Sequence, residues 1–97
     1  MALMNIEQMQ HRRGRILAML AQSPRGSAAV ALLRGSLSRW GYRADPDTIR
    51  DDIQWLDHHR LIERSAIGEA ELLVITEHGR AIVSGDLDYP GIKLFEA

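Results

Sequence analysis

Seven side chains able to hydrogen-bond to a nucleic acid fall within or beside one short stretch of this sequence. Arginine carries a charged fork of donors that matches a phosphate or the edge of a guanine, and glutamine pairs through two hydrogen bonds with adenine. Threonine and histidine add single hydrogen bonds to base edges or phosphates. The candidates are Arg39, Arg43, Thr48, Arg50, Gln54, His58 and Arg64.

The stretch that begins at Asp45 has the signals of an amphipathic helix. Asp45 is a favourable residue to cap the first free N–H groups, and Pro46 suits the first helical position. Asp47 places negative charge at the positive end of the helix dipole. An apolar stripe follows at helical spacing: Ile49, Ile53 and Leu56. The pattern predicts a helix over residues 46–59 with this stripe facing the core.

The face of this predicted helix opposite the apolar stripe mixes donors for nucleic acid with acidic residues. It is formed by Asp47, Asp51, Gln54 and His58, with Thr48 and Arg50 on its two flanks. The two aspartates would repel phosphates, whereas glutamine and arginine suit base edges. Two hypotheses therefore stay open: the face contacts DNA bases, or it contacts a basic protein partner.

The charge of the chain is almost balanced overall but unevenly distributed. Residues 1–44 carry seven arginines against one glutamate (+6), and residues 45–97 carry five basic against twelve acidic residues (−7). Such asymmetry is typical of a nucleic-acid surface or an acidic interaction surface, unless the fold mixes the two halves. The densest basic cluster is Arg12, Arg13 and Arg15. We expect this cluster to be a solvated helix face, with phosphate contact as the alternative.

Length and composition exclude several classes of protein. A chain of 97 residues without cysteine predicts one small domain with no disulfide and no thiolate metal site. His58 and His59 are adjacent and diverge by about 100° on a helix, so no metal site is predicted. Without a glycine-rich phosphate loop or a catalytic motif, neither an enzyme nor a cofactor is predicted. Without a signal-type or membrane-spanning apolar run, we expect a cytoplasmic protein.

The remaining segments predict three more helices, one β-hairpin and a tail. In chain order we expect helices over 6–22, 28–40 and 46–59, strands over 61–65 and 71–75 joined by a tip over 66–70, a helix over 77–84 and a tail over 86–97. The fold class is therefore mainly α with a small β-wing (α+β), in the order H1-H2-H3-strand-strand-H4. Residues 1–85 would form the domain.

Local signals predict how these elements end and what they bury. Ser27 and Thr76 are predicted helix caps, and Gly41 is a predicted left-handed helix stop. The helix over 28–40 would bury Ala29, Leu32, Leu33 and Leu37. The tail carries Leu87, Tyr89, Ile92, Leu94 and Phe95. A tail this apolar would pack on its own domain or on a second subunit, and a homodimer is expected because the domain is small.

Two motifs resemble the winged helix-turn-helix domains of small bacterial regulators of the ArsR and MarR type. The first is the corner Leu56-Asp57-His58-His59-Arg60-Leu61-Ile62, and the second is the step Ile75-Thr76-Glu77-His78-Gly79 into the last helix. The tail Tyr89-Pro90-Gly91-Ile92-Lys93 resembles that of the short winged-helix proteins encoded in Mu-like phages and prophages. The resemblance implies a helix-turn-helix followed by a wing.

The sequence departs from those families at two points. Their corner glycine is Arg60 here, so either an arginine takes a left-handed conformation at some energetic cost or the corner differs from theirs. Metal sensing of the ArsR type needs cysteine or histidine ligands, and cysteine is absent. The resemblance therefore implies no metal-responsive regulation for this chain.

The resemblance and the residues together imply a protein that binds double-stranded DNA, as a phage or prophage transcriptional regulator or a DNA-associated accessory factor in the host cytoplasm. The helix over 46–59 would enter the major groove, with Thr48, Arg50, Gln54 and His58 at base edges. Arg39, Arg43 and Arg64 would contact phosphates. The alternative is a protein–protein interaction module, in which the acidic helix face and the cation-free wing tip bind a phage or host protein.

Overall fold

A computed structural model describes residues 2–94 of the chain and the side chains of residues 6–94. Met1 and the last three residues of the predicted tail, 95–97, lie outside the described residues. No helix within the described range combines the length and apolar character that a membrane span requires. The elements are α1 (Ala2–Gln22), a 3-10 turn (Pro24–Gly26), β1 (Ser27–Ala29), α2 (Val30–Arg39), α3 (Pro46–His58), β2 (Ile62–Ile67), β3 (Ala70–Ile75) and α4 (Glu77–Ser84).

The predicted α+β architecture is confirmed, with one strand more than the sequence suggested. The sheet is antiparallel in the order β1-β3-β2, so β3 lies at its centre. The prediction that Ser27 caps a helix over 28–40 is wrong, because Ser27–Ala29 pair with β3 and α2 begins only at Val30. Three residues are too few to show an alternating pattern, and the pairing with β3 satisfies backbone groups that the predicted helix start would have left free.

The hairpin of β2 and β3 is tighter than predicted. Its strands pair from Ile62↔Ile75 to Ile67↔Ala70, which leaves only Gly68 and Glu69 in the loop rather than residues 66–70. Gly68 has a φ of 61° at the first loop position, where a type II′ hairpin turn requires glycine. Every residue of β2 after Ile62 is exposed, so the hairpin projects from the domain.

The helix predicted after Asp45 is confirmed as α3, together with its cap and its buried stripe. Asp45 accepts a hydrogen bond from the backbone N–H of Thr48 at 3.2 Å, and Pro46 begins the helix. The buried core comes from all four helices and the sheet: Ile16, Leu17, Leu20, Leu33, Leu37, Ile49, Ile53, Leu56, Leu61, Ile62, Leu73, Ile75 and Ile82, with Ile92 of the tail. Apolar burial from every element holds α3 against the domain.

One apolar prediction on α2 is wrong. Leu32 is 70% exposed, whereas Leu33 and Leu37 are buried. Leu33 and Leu37 are four residues apart and therefore form one face of α2, and this face meets the core. Leu32 points about 100° away from Leu33, into solvent.

Three local signals at element ends are confirmed. Gly41 has the left-handed φ of 88° after α2, and Arg60 has the predicted left-handed conformation with a φ of 61°. Thr76 caps α4 by accepting from the N–H of Gly79 at 3.1 Å. The Thr76 hydroxyl also donates to the carbonyl of Arg60 at 2.9 Å. This hydrogen bond ties α4 to the corner that follows α3 and helps to hold the strained arginine.

A buried ion pair joins α1 to α3. Asp52 is 1% exposed on the inner side of α3, where Arg12 donates to both of its carboxylate oxygens, one of them from Nη2 at 3.2 Å. Burial raises the pKa of Asp52, and the charges of Arg12 and Arg13 oppose that rise. Arg12 and Arg13 are themselves buried. The expectation of a solvated or phosphate-binding cluster is therefore wrong for both arginines. Asp52 lies 40 residues from Arg12 in the sequence, so no local pattern predicts their pairing.

The tail packs on its own domain through the second of these arginines. Arg13 lies with its guanidinium carbon 4.1 Å from the centre of the Trp55 ring and donates to the carbonyl of Gly91 at 3.3 Å. The backbone N–H of Lys93 donates to the carbonyl of Gln10 on α1 at 3.1 Å, and Ile92 is buried. Of the two alternatives for the tail, packing on its own domain is therefore confirmed for residues 86–94.

We expect Asp52→Asn to lower the free energy of unfolding by about 3–5 kcal/mol, because it leaves Arg12 buried without a counter-charge. The measurement is urea denaturation of the variant and the wild type. Asp51→Asn is the matched control, since Asp51 is the exposed neighbour of Asp52, and we expect a change within about 0.5 kcal/mol. Equal effects of the two substitutions would contradict a special role for the buried pair.

Two helical glycines give opposite predictions for substitution by alanine. A Cβ at Gly14 of α1 would collide with the backbone oxygen of Lys93, whereas a Cβ at Gly35 of α2 would meet nothing within 4 Å. Gly35→Ala should therefore raise the free energy of unfolding by about 0.5–1 kcal/mol through helix propensity. Gly14→Ala should lower it by about 1–3 kcal/mol, because the tail must shift away from α1. Thermal and urea denaturation measure both, and stabilisation by Gly14→Ala would contradict the close approach of the tail.

Candidate nucleic-acid interface

A groove between α2, α3 and the β2–β3 hairpin brings three arginines together. Arg34 comes from α2, Arg50 from α3 and Arg64 from β2, and the groove has a volume of about 210 Å³. Its other lining residues are Val30, Pro46, Ile49, Ile53, Gln54 and Glu71. Three arginines from three elements therefore line one groove, together with one carboxylate, that of Glu71. Guanidinium groups are well suited to bind an oxyanion such as a phosphate.

Arg34 is the residue of this groove that sequence reasoning missed. Its Nε donates to the carbonyl of Ala44 at 2.9 Å, which ties α2 to the segment that leads into α3. The only sequence signal was an arginine-rich, acid-free run that contains Arg34, Arg39 and Arg43. Nothing local predicts which of these three faces α3, because that depends on how the two helices pack.

Three of the seven predicted residues lie in the groove. These are Arg50, Gln54 and Arg64. Gln54 is exposed on the outward side of α3, and its amide has no hydrogen-bond partner within residues 6–94. An amide in this position is free to pair with a base edge if the helix enters a major groove.

The other four predicted residues lie outside the groove. The Thr48 hydroxyl donates to Asp45 at 2.7 Å, and Arg43 donates to the same carboxylate at 2.9 Å. Hydrogen bonds hold the pKa of Asp45 well below its usual range. The largest effect comes from the Thr48 hydroxyl, followed by Arg43 and by the backbone N–H of Thr48. His58 is exposed at the other end of α3, roughly 12 Å along the helix axis from residue 50. Arg39 is exposed on α2.

Two of the arginines in the groove have a carboxylate partner from the same chain. Arg50 Nη1 lies 2.9 Å from Asp47 Oδ1 on the same helix, and Arg64 Nη2 lies 2.7 Å from Glu71 Oε2 on β3. All four side chains are at least one third exposed. Exposed ion pairs contribute only about 0–1 kcal/mol, so a phosphate that approaches the groove competes with these carboxylates on nearly equal terms.

The side of α3 that faces the tail is closed to a partner at its C-terminal end. The His59 ring centre lies 4.0 Å from that of Trp55, and its Nδ1 lies 2.8 Å from the hydroxyl of Tyr89. Desolvation lowers the pKa of His59, and the charges of His58 and Arg13 act in the same direction. His59 is thus a packing residue between α3 and the tail, whereas its neighbour His58 faces solvent.

Within residues 6–94, no three histidine, aspartate or glutamate side chains are grouped so that they could hold a metal ion. No protein-family model matches the chain, and no curated protein matches it with significant similarity. Membership in the winged helix-turn-helix families therefore stays a prediction that rests on the sequence motifs.

The lowered pKa of His59 predicts that the contact between α3 and the tail becomes weaker as the pH falls. Folded His59 binds its proton less readily than unfolded histidine, whose pKa is 6.5. The unfolded state therefore takes up more protons as the pH falls below that value, and the free energy of unfolding decreases. Denaturation of the wild type and of His59→Gln between about pH 7.5 and 5 measures this. We expect a shallower decrease for the variant, and identical slopes would contradict the assignment.

Proposed function

We propose that this chain is a winged helix-turn-helix protein that binds double-stranded DNA. In this proposal α3 is the recognition helix and the β2–β3 hairpin is the wing. The order of three helices, a hairpin and a fourth helix supports the assignment, as do the capped start of α3 and the corner at Arg60. An exposed helix of this kind has the dimensions to enter a major groove.

The observation that carries the proposal is the convergence of Arg34, Arg50 and Arg64 on one groove beside the exposed Gln54. Phosphate contacts supply sequence-independent affinity and fix the position of a helix on the duplex. Side chains on the outward face of the helix then read the base edges. In this proposal the groove supplies the phosphate contacts, and the adjacent outward face of α3 supplies the base contacts.

The residues take different roles in this proposal. Gln54 pairs with adenine, and Arg50 contacts guanine or an adjacent phosphate. Arg34 and Arg64 contact phosphates from α2 and from the hairpin, and Arg39 and Arg43 extend this contact along α2 and the turn. His58 reaches only a base near the far end of α3. Thr48 holds the helix cap, so its hydroxyl must leave Asp45 before it contacts DNA.

A homodimer would supply the affinity that one small domain lacks, since two linked α3 helices read two half-sites. A transcriptional regulator or a DNA-associated accessory factor of a phage or prophage, acting in the host cytoplasm, fits this proposal. The resemblance of the tail sequence supports the phage or prophage origin. The only support for the dimer is the small size of the domain, which limits the core that one copy can bury.

A second candidate function is favoured by the acidic groups around α3. Asp47, Asp51 and Asp57 are all exposed on this helix, and Glu69 is exposed in the hairpin loop. These groups repel phosphates but would attract a basic phage or host protein. A protein–protein interaction module therefore remains the alternative, and the two functions differ in whether the groove arginines bind DNA.

Fluorescence anisotropy with a labelled random-sequence duplex at about 50 and 200 mM salt tests the proposal. Phosphate contacts by the three groove arginines alone predict a salt slope of about −2.7, so that affinity falls at least roughly 40-fold between the two conditions. Arg50→Ala combined with Arg64→Ala should weaken binding at low salt at least about tenfold. Arg80→Ala, an exposed arginine on α4, is the control and should change it less than about twofold. Absence of wild-type binding at low salt would favour the protein-partner alternative.

A further inference from the structure

Glu71 lines the groove and pairs with one of its arginines. Its Oε2 accepts hydrogen bonds from Arg64 Nε and pairs with Arg64 Nη2, both at 2.7 Å. Glu71 lines the groove together with Arg64 and with the two other arginines, Arg34 and Arg50. A single carboxylate oxygen therefore already occupies one edge of the guanidinium group that would otherwise bind a phosphate.

The contact between these two residues follows from the register of the hairpin. Arg64 is directly opposite Leu73, and Glu71 is directly opposite Ala66, so the two charged residues are diagonal neighbours on one face. This is the face that carries the buried Ile62 and Leu73 nearer the base of the hairpin. The pairing is therefore built into the strand register and does not depend on a flexible loop.

The exposure of the pair makes it exchangeable. The side chains of Arg64 and Glu71 are 36% and 37% exposed. An ion pair in this setting contributes little to stability, so stabilising the hairpin is not the main effect of this pair. Its main consequence is electrostatic: a negative group stands among three arginines and reduces the attraction that the groove exerts on any phosphate.

We infer that Glu71 competes with phosphate for Arg64 and thereby weakens the sequence-independent part of DNA binding. This inference rests on the proposed DNA-binding function. Phosphate contacts are the same for every DNA sequence, whereas base contacts differ. A phosphate gains the full fork of Arg64 only by displacing the Glu71 carboxylate, and this displacement has the same cost on every sequence. Glu71 thus lowers the affinity that the phosphate contacts supply, and binding depends more on the base contacts of α3.

The test is Glu71→Gln, which keeps the shape of the side chain and removes its charge. Because an exposed ion pair contributes little, removing the competing carboxylate should strengthen binding to a labelled random duplex by about two- to fivefold at 50 mM salt. The matched control is Glu63→Gln. It makes the same change in net charge at an exposed position of β2, and Glu63 faces the other side of the hairpin from Arg64.

A double-mutant cycle with Arg64→Ala isolates the contact. In the Arg64→Ala background, the strengthening by Glu71→Gln should fall to that of the Glu63→Gln control. Equal strengthening by Glu71→Gln and Glu63→Gln would overturn the inference in favour of a general charge effect. Weaker binding of Glu71→Gln would overturn it too, since Glu71 would then position Arg64 for DNA.

The same data separate a failure of this inference from a failure of the proposed function. Wild-type binding that depends on salt, together with an unchanged affinity of Glu71→Gln, rejects the role of Glu71 and leaves DNA binding in place. Absence of binding by the wild type and by both variants at 50 mM salt rejects DNA binding and this inference with it. Melting curves of all variants check that each is folded.

Discussion

The buried ion pair between Arg12 and Asp52 is the interaction on which the arrangement of this domain depends. Asp52 lies on the inner side of α3, next to the apolar residues Ile49 and Ile53, and is almost fully removed from solvent. A charge in this position is tolerated only with a closely placed partner, because separating the two inside the protein leaves an uncompensated charge. A rotation of α3 about its axis would break the contact. The pair thus fixes which face of α3 points outward, and with it the positions of Arg50 and Gln54.

The second arginine of α1 extends this constraint to the rest of the fold. Arg13 contacts Asp52, the ring of Trp55 and the carbonyl of Gly91, so one side chain links α1, α3 and the tail. The tail crosses α1 at Gly14, where a side chain would leave it no room. The side of α3 away from the groove is therefore held against α1 and the tail. The surface formed by α2, α3 and the hairpin lies on the other side of the helix.

Features that depend on a few neighbouring residues could be predicted from the sequence, and features that depend on distant partners could not. The cap of α3, its buried stripe and the cap at Thr76 each follow from local geometry, whereas the left-handed Arg60 is implied by the resemblance at the corner. The strand β1 exists only because β3 pairs with it, and its three residues carry no periodic signal. The burial of Arg12 requires Asp52, and the role of Arg34 requires the packing of α2 beside α3. The number of charged residues in one segment therefore does not show whether their side chains lie in the interior or on the surface.

We propose that the groove between α2, α3 and the hairpin, with the outward face of α3, is a surface for DNA. Titration of the ¹⁵N-labelled protein with a random-sequence duplex, followed by NMR, tests this proposal most directly because every backbone amide reports its own environment. We expect the largest shifts in residues 46–54 of α3, in residues 62–71 of the hairpin and near Arg34. Shifts confined to α4 and the tail, or no shifts at low salt, would contradict it.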